Sequence, residues 1–258
     1  MKDDITQVQA KENLYESGII GRMRKLIVEK GMRFFVRKSW VFFWRYVYAA
    51  TLLRLRPKRY FYFGDEEYEW FCHPYNFTWD NERAVEMPIA LVEIEKYRGK
   101  RVLEVGNVVS HYVKPWWNIL DKFERKDGVI CSDIVDYHPV ERYDLILSIS
   151  TIEHVGFDDN VQDPEKPVEA IRSLRTCCLA PDGLLLVTIP LGYNPSLDEK
   201  LFAGTLGFDD VAFMKRVSSG RWIEVSEDEL GDYSYGTRYI EASVVAFGWA
   251  TGAPKERA

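Results

Sequence analysis

Glu104, Gly106 and Asn107 stand together at the end of an apolar run, in the stretch RVLEVGN (101–107). An acid followed at two residues by a glycine suits a strand that gives way to a tight turn beside a nucleotide-like ligand. Two further acids close the next apolar runs: Asp121 ends NILD, and Asp133 follows VICS. Carboxylates at successive strand ends suit a ribose, whose vicinal hydroxyls can donate to an acid, and an adenine amino group. Any one such aspartate is as well explained as a helix N-cap. Taken with the acid-x-glycine turn, the set reads as a cofactor site.

Five apolar runs must position these groups. KRVLEVGN, WWNILDKFE, DGVICSDIVDY and RYDLILSIS follow one another from residue 100, and a fifth covers 184–190 behind the turn Pro181-Asp182-Gly183. Their residues are apolar at nearly every position, with no helical period, as in parallel strands buried on both faces. DPEKPVEAIRSLRTCCL supplies a crossover helix, and AFMKRVS with EASVVAFGWA suits a closing antiparallel pair. In such α/β sheets ligands bind outside the carboxyl ends of the strands. That rule selects Gly106, Asn107, Asp121, Asp133, the stretch 150–155 and the stretch 190–194.

These residues resemble the class I S-adenosylmethionine-dependent methyltransferases. VLEVG is similar to their first motif, ILDKF to the ribose-binding strand end, and SDI, with Asp133 and Ile134, to the adenine side. YDLILSISTIEHVG resembles their fourth strand and its Glu-His-Val turn, and LAPDGLLLVTIP the fifth strand. The likeness runs over residues 98–191. It implies a Rossmann-like α/β sheet, mostly parallel with a closing antiparallel pair. It also implies S-adenosylmethionine held by Glu104, Gly106, Asn107, Asp121, Asp133, Ile134 and Ser150.

Two departures bear on that cofactor. Where the family writes two further glycines, this chain has Val108 and Ser110, and a β-branched residue resists φ > 0. The segment ERKDG is too short for a crossover helix, so Glu124 is an alternative to Asp121 as the ribose acid. The resemblance places His154 at the methyl, where an imidazole titrating near neutrality could accept the proton of a hydroxyl. His111, Tyr193 and Asn194 are candidates for substrate contact. Relatives that bind a metal through Glu-x-x-Glu-His have an acid where this chain has Ser150, so no metal site is expected. The stretch 75–90 precedes the first strand, where relatives place a segment over the pocket. Tyr75, Trp79, Glu82 and Arg83 could touch a ligand there, and a plain amphipathic helix explains them as well. The narrower likeness is to O-methylation of a sugar, glycan or secondary-metabolite acceptor.

The charge is distributed unevenly. The chain of 258 residues has a net charge of −6, yet residues 18–60 contain twelve Lys or Arg and one acid, a net +11, leaving −17 elsewhere. The same stretch carries Phe34, Phe35, Trp40, Phe42, Phe43, Trp44, Tyr46 and Tyr48. SWVFFWRYVYAATLL (39–53) is shorter than the roughly 20 residues of a spanning helix and has Arg45 at its centre. A basic helix lying on an anionic membrane surface fits this composition. So does one packed against the acidic domain or a second subunit, as in a homodimer. No nucleic-acid-binding signature accompanies it. The division expected is therefore residues 1–64, a basic, aromatic helical segment, and 65–258, the cofactor-binding domain. Cys72, Cys131, Cys177 and Cys178 form no C-x-x-C pair, and no secretion signal is evident, which suits a cytoplasmic protein. The reading from another class is a non-catalytic Rossmann-like scaffold whose N-terminal segment docks on a membrane or subunit. A nicotinamide dehydrogenase is a poor third reading, since no G-x-G-x-x-G opens the first helix.

Overall fold

The computed structural model describes residues 57–252 apart from 219 and 237–240, together with Met32, Val36, Trp40, Phe43, Trp44, Tyr46 and Val47. The chain divides into two units, Met1–Pro57 and Lys58–Ala258. Of the eight described positions of the first unit, all but Pro57 are helical. The rest of the basic stretch 18–56 lies outside the described residues.

The second unit opens with a hairpin, β1 (Tyr60–Phe63) and β2 (Glu66–Glu69), and helix α1 (Arg83–Lys96). There follow β3 (Val102–Val105), β4 (Asn118–Asp121), β5 (Val129–Cys131), β6 (Tyr143–Ile149), α2 (Lys166–Ser173), β7 (Leu179–Pro190) and α3 (Pro195–Phe202). The chain ends through β8 (Asp210–Ser218), β9 (Arg221–Val225) and β10 (Val244–Thr251). Strands β3 to β10 form one sheet in the order β5-β4-β3-β6-β7-β10-β8-β9. The pairs β3–β4, β4–β5, β3–β6 and β6–β7 are parallel, whereas β10 runs antiparallel to both β7 and β8. This is the mostly parallel, Rossmann-like sheet with an antiparallel closure that the apolar runs imply.

Strand alternation sends residues to two cores. From β6, Leu145, Leu147 and Ile149 join α1 and the hairpin residues Phe61 and Phe63. Ile146 faces the other way, toward Ala170, Ile171 and Leu174 of α2 and the turn after it. Strand β3 is buried at all four positions, so its run has no polar face to show.

The crossovers beside β4 are reduced. Between β3 and β4 there is only a 3-10 turn, Val109–His111, and residues 122–128 join β4 to β5 with no helix. Val109 and Trp117 cover the α1 face of the sheet there, where a crossover helix would otherwise lie. The shortness of ERKDG anticipated this. The hairpin and β9 were not anticipated.

Candidate functional site

From β3 the chain crosses to β4 on one side, and from β6 to β7 on the other, although β3 and β6 are neighbours. Their carboxyl ends therefore flank a topological switch point, where open α/β sheets form a ligand crevice. The expected residues can be placed around it one by one.

Gly106 has φ +95, and a Cβ there would fall 2.1 Å from Thr151 Oγ1. The turns after β3 and β6 thus approach more closely than any side chain allows. Asn107 takes φ 42, left-handed as its type permits. Val108 sits in the right-handed helical region, at φ −97 and ψ −51, so its branching costs nothing. The missing glycine is harmless because Gly106 and Asn107 absorb the left-handed geometry.

Glu104 is 1% exposed and holds this turn together. Its Oε1 accepts from the Val109 and Ser110 amides, and its Oε2 from Trp117 Nε1 at 2.7 Å. Burial raises its pKa, and these donors oppose the rise. Its role is to shape the loop.

The two ribose candidates separate. Asp121 Oδ1 accepts from the Phe123 and Glu124 amides, each at 2.8 Å, and so caps its own turn. Glu124 reaches back to the crevice, where its Oε2 accepts from Asn107 Nδ2. Asn107 Oδ1 in turn accepts from Ser110 Oγ. Of the residues expected on the adenine side, Asp133 caps the turn Ile134–Asp136 through a long 3.4 Å bond to Oδ1, and Ile134 is buried beside it. Asp133 Oδ2 is ion-paired with Lys166 at 2.8 Å and Lys122 at 3.0 Å, and both lysines also hold Asp159. Burial pushes Asp133 up, but the two lysines outweigh it and leave its carboxyl below the ordinary value.

The turn after β6 is the densest polar region. Ser150 has φ 40 and is 6% exposed. Its Oγ donates to Glu86 Oε1 at 2.6 Å, and Thr188 Oγ1 donates to the same oxygen at 2.6 Å. Glu86 Oε2 takes the Arg83 guanidinium. His154 Nδ1 lies 2.7 Å from Asp158 Oδ2, which also accepts from the Tyr193 hydroxyl at 2.9 Å. The His154 and Tyr193 rings meet edge to face, 4.5 Å apart. A carboxylate on Nδ1 fixes the tautomer and leaves Nε2 to accept a proton.

Not every substrate candidate shares this crevice wall. Asn194 caps α3 by accepting from the Leu197 amide and donates Nδ2 to the Glu153 carbonyl at 3.0 Å. It ties two loops together and is 3% exposed. His111 is exposed and belongs to a separate ring cluster with Tyr75, 5.4 Å away. Trp79 and Glu82 are buried at 6% and 5%, in the segment that enters α1.

Sequence reasoning missed Glu86 and Asp158, and took in Glu153 only as part of the stretch 150–155. Asp158 lies one helical turn after His154, a spacing that could have flagged it. Glu86 gave no signal, since its partners are 64 and 102 residues away. Among the described residues no group of three His, Cys, Asp or Glu side chains is arranged to hold a metal ion.

No family model matches the chain, and no curated protein matches it in sequence. Among solved structures it is similar to a TehB-like SAM-dependent methyltransferase from Corynebacterium glutamicum, at 15% identity and TM-score 0.40, over 63% of this chain and 85% of that one. It is also similar to the N-methyltransferase NodS from Bradyrhizobium japonicum in complex with S-adenosyl-L-homocysteine, at 13% identity and TM-score 0.36, over 67% and 92%. A third is the glycopeptide N-methyltransferase MtfA with the same ligand, at 11% identity and TM-score 0.36, over 63% and 89%.

Proposed function

We propose that the chain is an S-adenosylmethionine-dependent methyltransferase acting on a hydroxyl of a sugar, glycan or secondary metabolite. The observation that carries this reading is the meeting of Asn107 and Glu124 at the switch point. A left-handed turn after β3 and a carboxylate from beyond β4 together offer the acceptors that a ribose diol requires. The residues present fit the cofactor. Glu124 would take the diol, and Ile134 offers an apolar wall to the adenine. Asp133 Oδ1, weakly used by Val135, is left for the adenine amine. No phosphate cradle is needed, since this cofactor has no phosphate.

S-adenosylmethionine supplies an electrophilic methyl on a sulfonium. The chain's own task is to hold a hydroxyl in line with that methyl and to take its proton. His154 is placed for the second role. Asp158 and Tyr193 hold its ring, and the turn Ile152–His154 sets it at the end of β6. His154 Nε2 would accept the proton of that hydroxyl, and the nearby Asp158 carboxylate would balance the imidazolium. The alternative reading, a non-catalytic scaffold, offers no use for a histidine oriented in this way. The deciding experiment is transfer of a radiolabelled methyl group from S-adenosylmethionine into extracts and defined hydroxyl acceptors.

A second reading concerns the N-terminal unit, which we infer to dock on an anionic membrane surface. Met32, Val36, Trp40 and Phe43 are each more than half exposed, at 58, 58, 61 and 56%, and Trp44 is 51% exposed. At the 100° per residue of a helix, the spacing of these positions puts them on one stripe. The rings of Trp40, Phe43 and Trp44 contact one another along it. An exposed aromatic stripe within a stretch of net charge +11 suits the headgroup boundary of an anionic bilayer. Among the described residues no helix is long and apolar enough to cross a membrane.

A further inference from the structure

Two buried carboxyl groups, Glu153 beside His154 and its electrostatic neighbour Glu82, are left unused by methyl transfer. Glu82 enters α1 and is 5% exposed; Glu153 sits in the turn after β6 and is 1% exposed. In each, Oε2 is buried and has no hydrogen-bond partner among the described residues. Arg83 does not supply the lack, because its guanidinium is bound to Glu86, whose other oxygen already takes Ser150 and Thr188. Among the described residues one cation thus serves three neighbouring acids, Glu82, Glu86 and Glu153, which repel one another. Burial first, and this repulsion with it, holds Glu82 up at about 7 and Glu153 well above the ordinary carboxylate value.

An aromatic wall adjoins the pair. Tyr235 lies within electrostatic range of both Glu82 and Glu153, and its ring is 5.0 Å from that of Tyr193, which contacts His154. Its hydroxyl is engaged by Glu241 Oε2 at 2.6 Å.

Buried polar atoms are almost always paired, and leaving them unpaired is costly. Two such atoms on neighbouring acids suit a partner with several donors, and a positive charge on it would offset the burial and repulsion that disfavour their ionised forms. A hydroxyl offers one donor and no charge. A primary ammonium offers three donors and one charge, and it gains further from aromatic faces. His154 Nε2 lies 3.7 Å from Glu153 Oε1, so a group bound to Glu153 stands next to the proton acceptor.

We propose that Glu82 and Glu153 bind the ammonium group of an amino-alcohol acceptor whose neighbouring hydroxyl faces His154. The inference rests on the methyl-transfer reading for the hydroxyl, but not for the recognition of the amine. It narrows the acceptor class to amine-bearing polyols, such as amino sugars with a free amino group.

The test uses the full chain and two matched probe sets, observed by ligand-detected NMR and calorimetry with and without S-adenosylhomocysteine. One set is trans-2-aminocyclohexanol with its N-acetyl derivative; the other is methyl glucosaminide with its N-acetyl derivative. The free amine of at least one set should bind about tenfold more tightly than its acetylated partner, as a charge-assisted contact requires. That preference should vanish in the Glu82→Gln/Glu153→Gln double variant, with S-adenosylhomocysteine affinity unchanged. The wild-type comparison decides the matter even if the double variant folds poorly. Equal binding of amine and amide in both sets, no binding of either amine, or a preference that survives in a folded double variant would each overturn the inference. If S-adenosylhomocysteine fails to bind while the amine preference holds, the methyl-transfer reading falls and the amine site stands.

Discussion

Ser150, at the end of β6, donates its hydroxyl to Glu86 of α1 across 2.6 Å, and the residues are 64 apart in sequence. With Thr188 on the same oxygen and Arg83 on the other, Glu86 fastens α1 to the carboxyl ends of β6 and β7. Glu86→Ala would leave Arg83 buried without its counter-ion and two hydroxyls without an acceptor. Breaking one partner of a buried ion pair costs about 3–5 kcal/mol, so the unfolding free energy measured by denaturation should fall by that much. Glu86→Gln keeps an acceptor for Ser150 and Thr188 and should lose less. Equal losses in the two variants would show that the hydroxyls contribute nothing.

Stability should respond to pH in a direction the buried acids set. Burial pushes Glu82 up to about 7 and Asp198 up to about 6, from ordinary values of 4.5 and 3.8. The native state holds these protons more tightly than the unfolded chain. Their stabilising contribution is therefore complete below the ordinary values and lost as pH rises through about 6 to 7. Asp133 and Asp159 act in reverse. Burial opposes them, but Lys166 and Lys122 lower both, so their contribution is present above 3.8 and lost as pH falls below it. The melting temperature should peak near pH 4 to 5 and drop by several degrees, on the order of 5 °C, toward pH 8. A melting temperature that climbs steadily from pH 5 to pH 8 would contradict this assignment.

Residues apolar on both faces made β3 and β6 readable in sequence, because full burial leaves no polar alternation to confuse the period. The first hairpin was opaque for the opposite reason. Tyr60–Phe63 is aromatic throughout yet buried only at Phe61 and Phe63, and it directly follows a basic, aromatic stretch of similar composition. In the site, Gly106 and Asn107 could be recognised as left-handed by residue type. The choice between Asp121 and Glu124 could not, since it turns on which carboxylate caps its own turn. Glu82, Glu86 and Glu153 are drawn together by packing between distant elements, which no local pattern records.

His154 should act as the proton acceptor. General-base catalysis is worth about 10²–10⁴ in rate, so His154→Ala should lose that much turnover once a hydroxyl acceptor is identified. Its melting temperature and S-adenosylhomocysteine affinity should stay near wild type. Asp158→Asn should lose less, because the ring remains held by Tyr193. Wild-type turnover in His154→Ala would remove the histidine from the chemistry. Turnover lost on adding a chelator would bring a metal into it.

The N-terminal unit should sediment with anionic vesicles and be released by salt. Each Lys or Arg near such a surface contributes about 1 kcal/mol, screened beyond a Debye length of about 10 Å at 0.1 M. Replacing Trp40, Phe43 and Trp44 by alanine should weaken binding at every salt concentration, because those rings are exposed. Full-length protein that ignores anionic vesicles at low salt would favour a helix packed against protein.

Calorimetric titration with S-adenosylhomocysteine tests the central claim most directly, since it needs no knowledge of the acceptor. The wild-type chain should bind one equivalent. Glu124→Ala should weaken binding by about 2–3 kcal/mol through the loss of charge-assisted hydrogen bonds to the ribose. Asp121→Ala should weaken it less, because Asp121 is occupied in capping its own turn. Absence of any saturable binding by the folded wild-type protein would contradict the account.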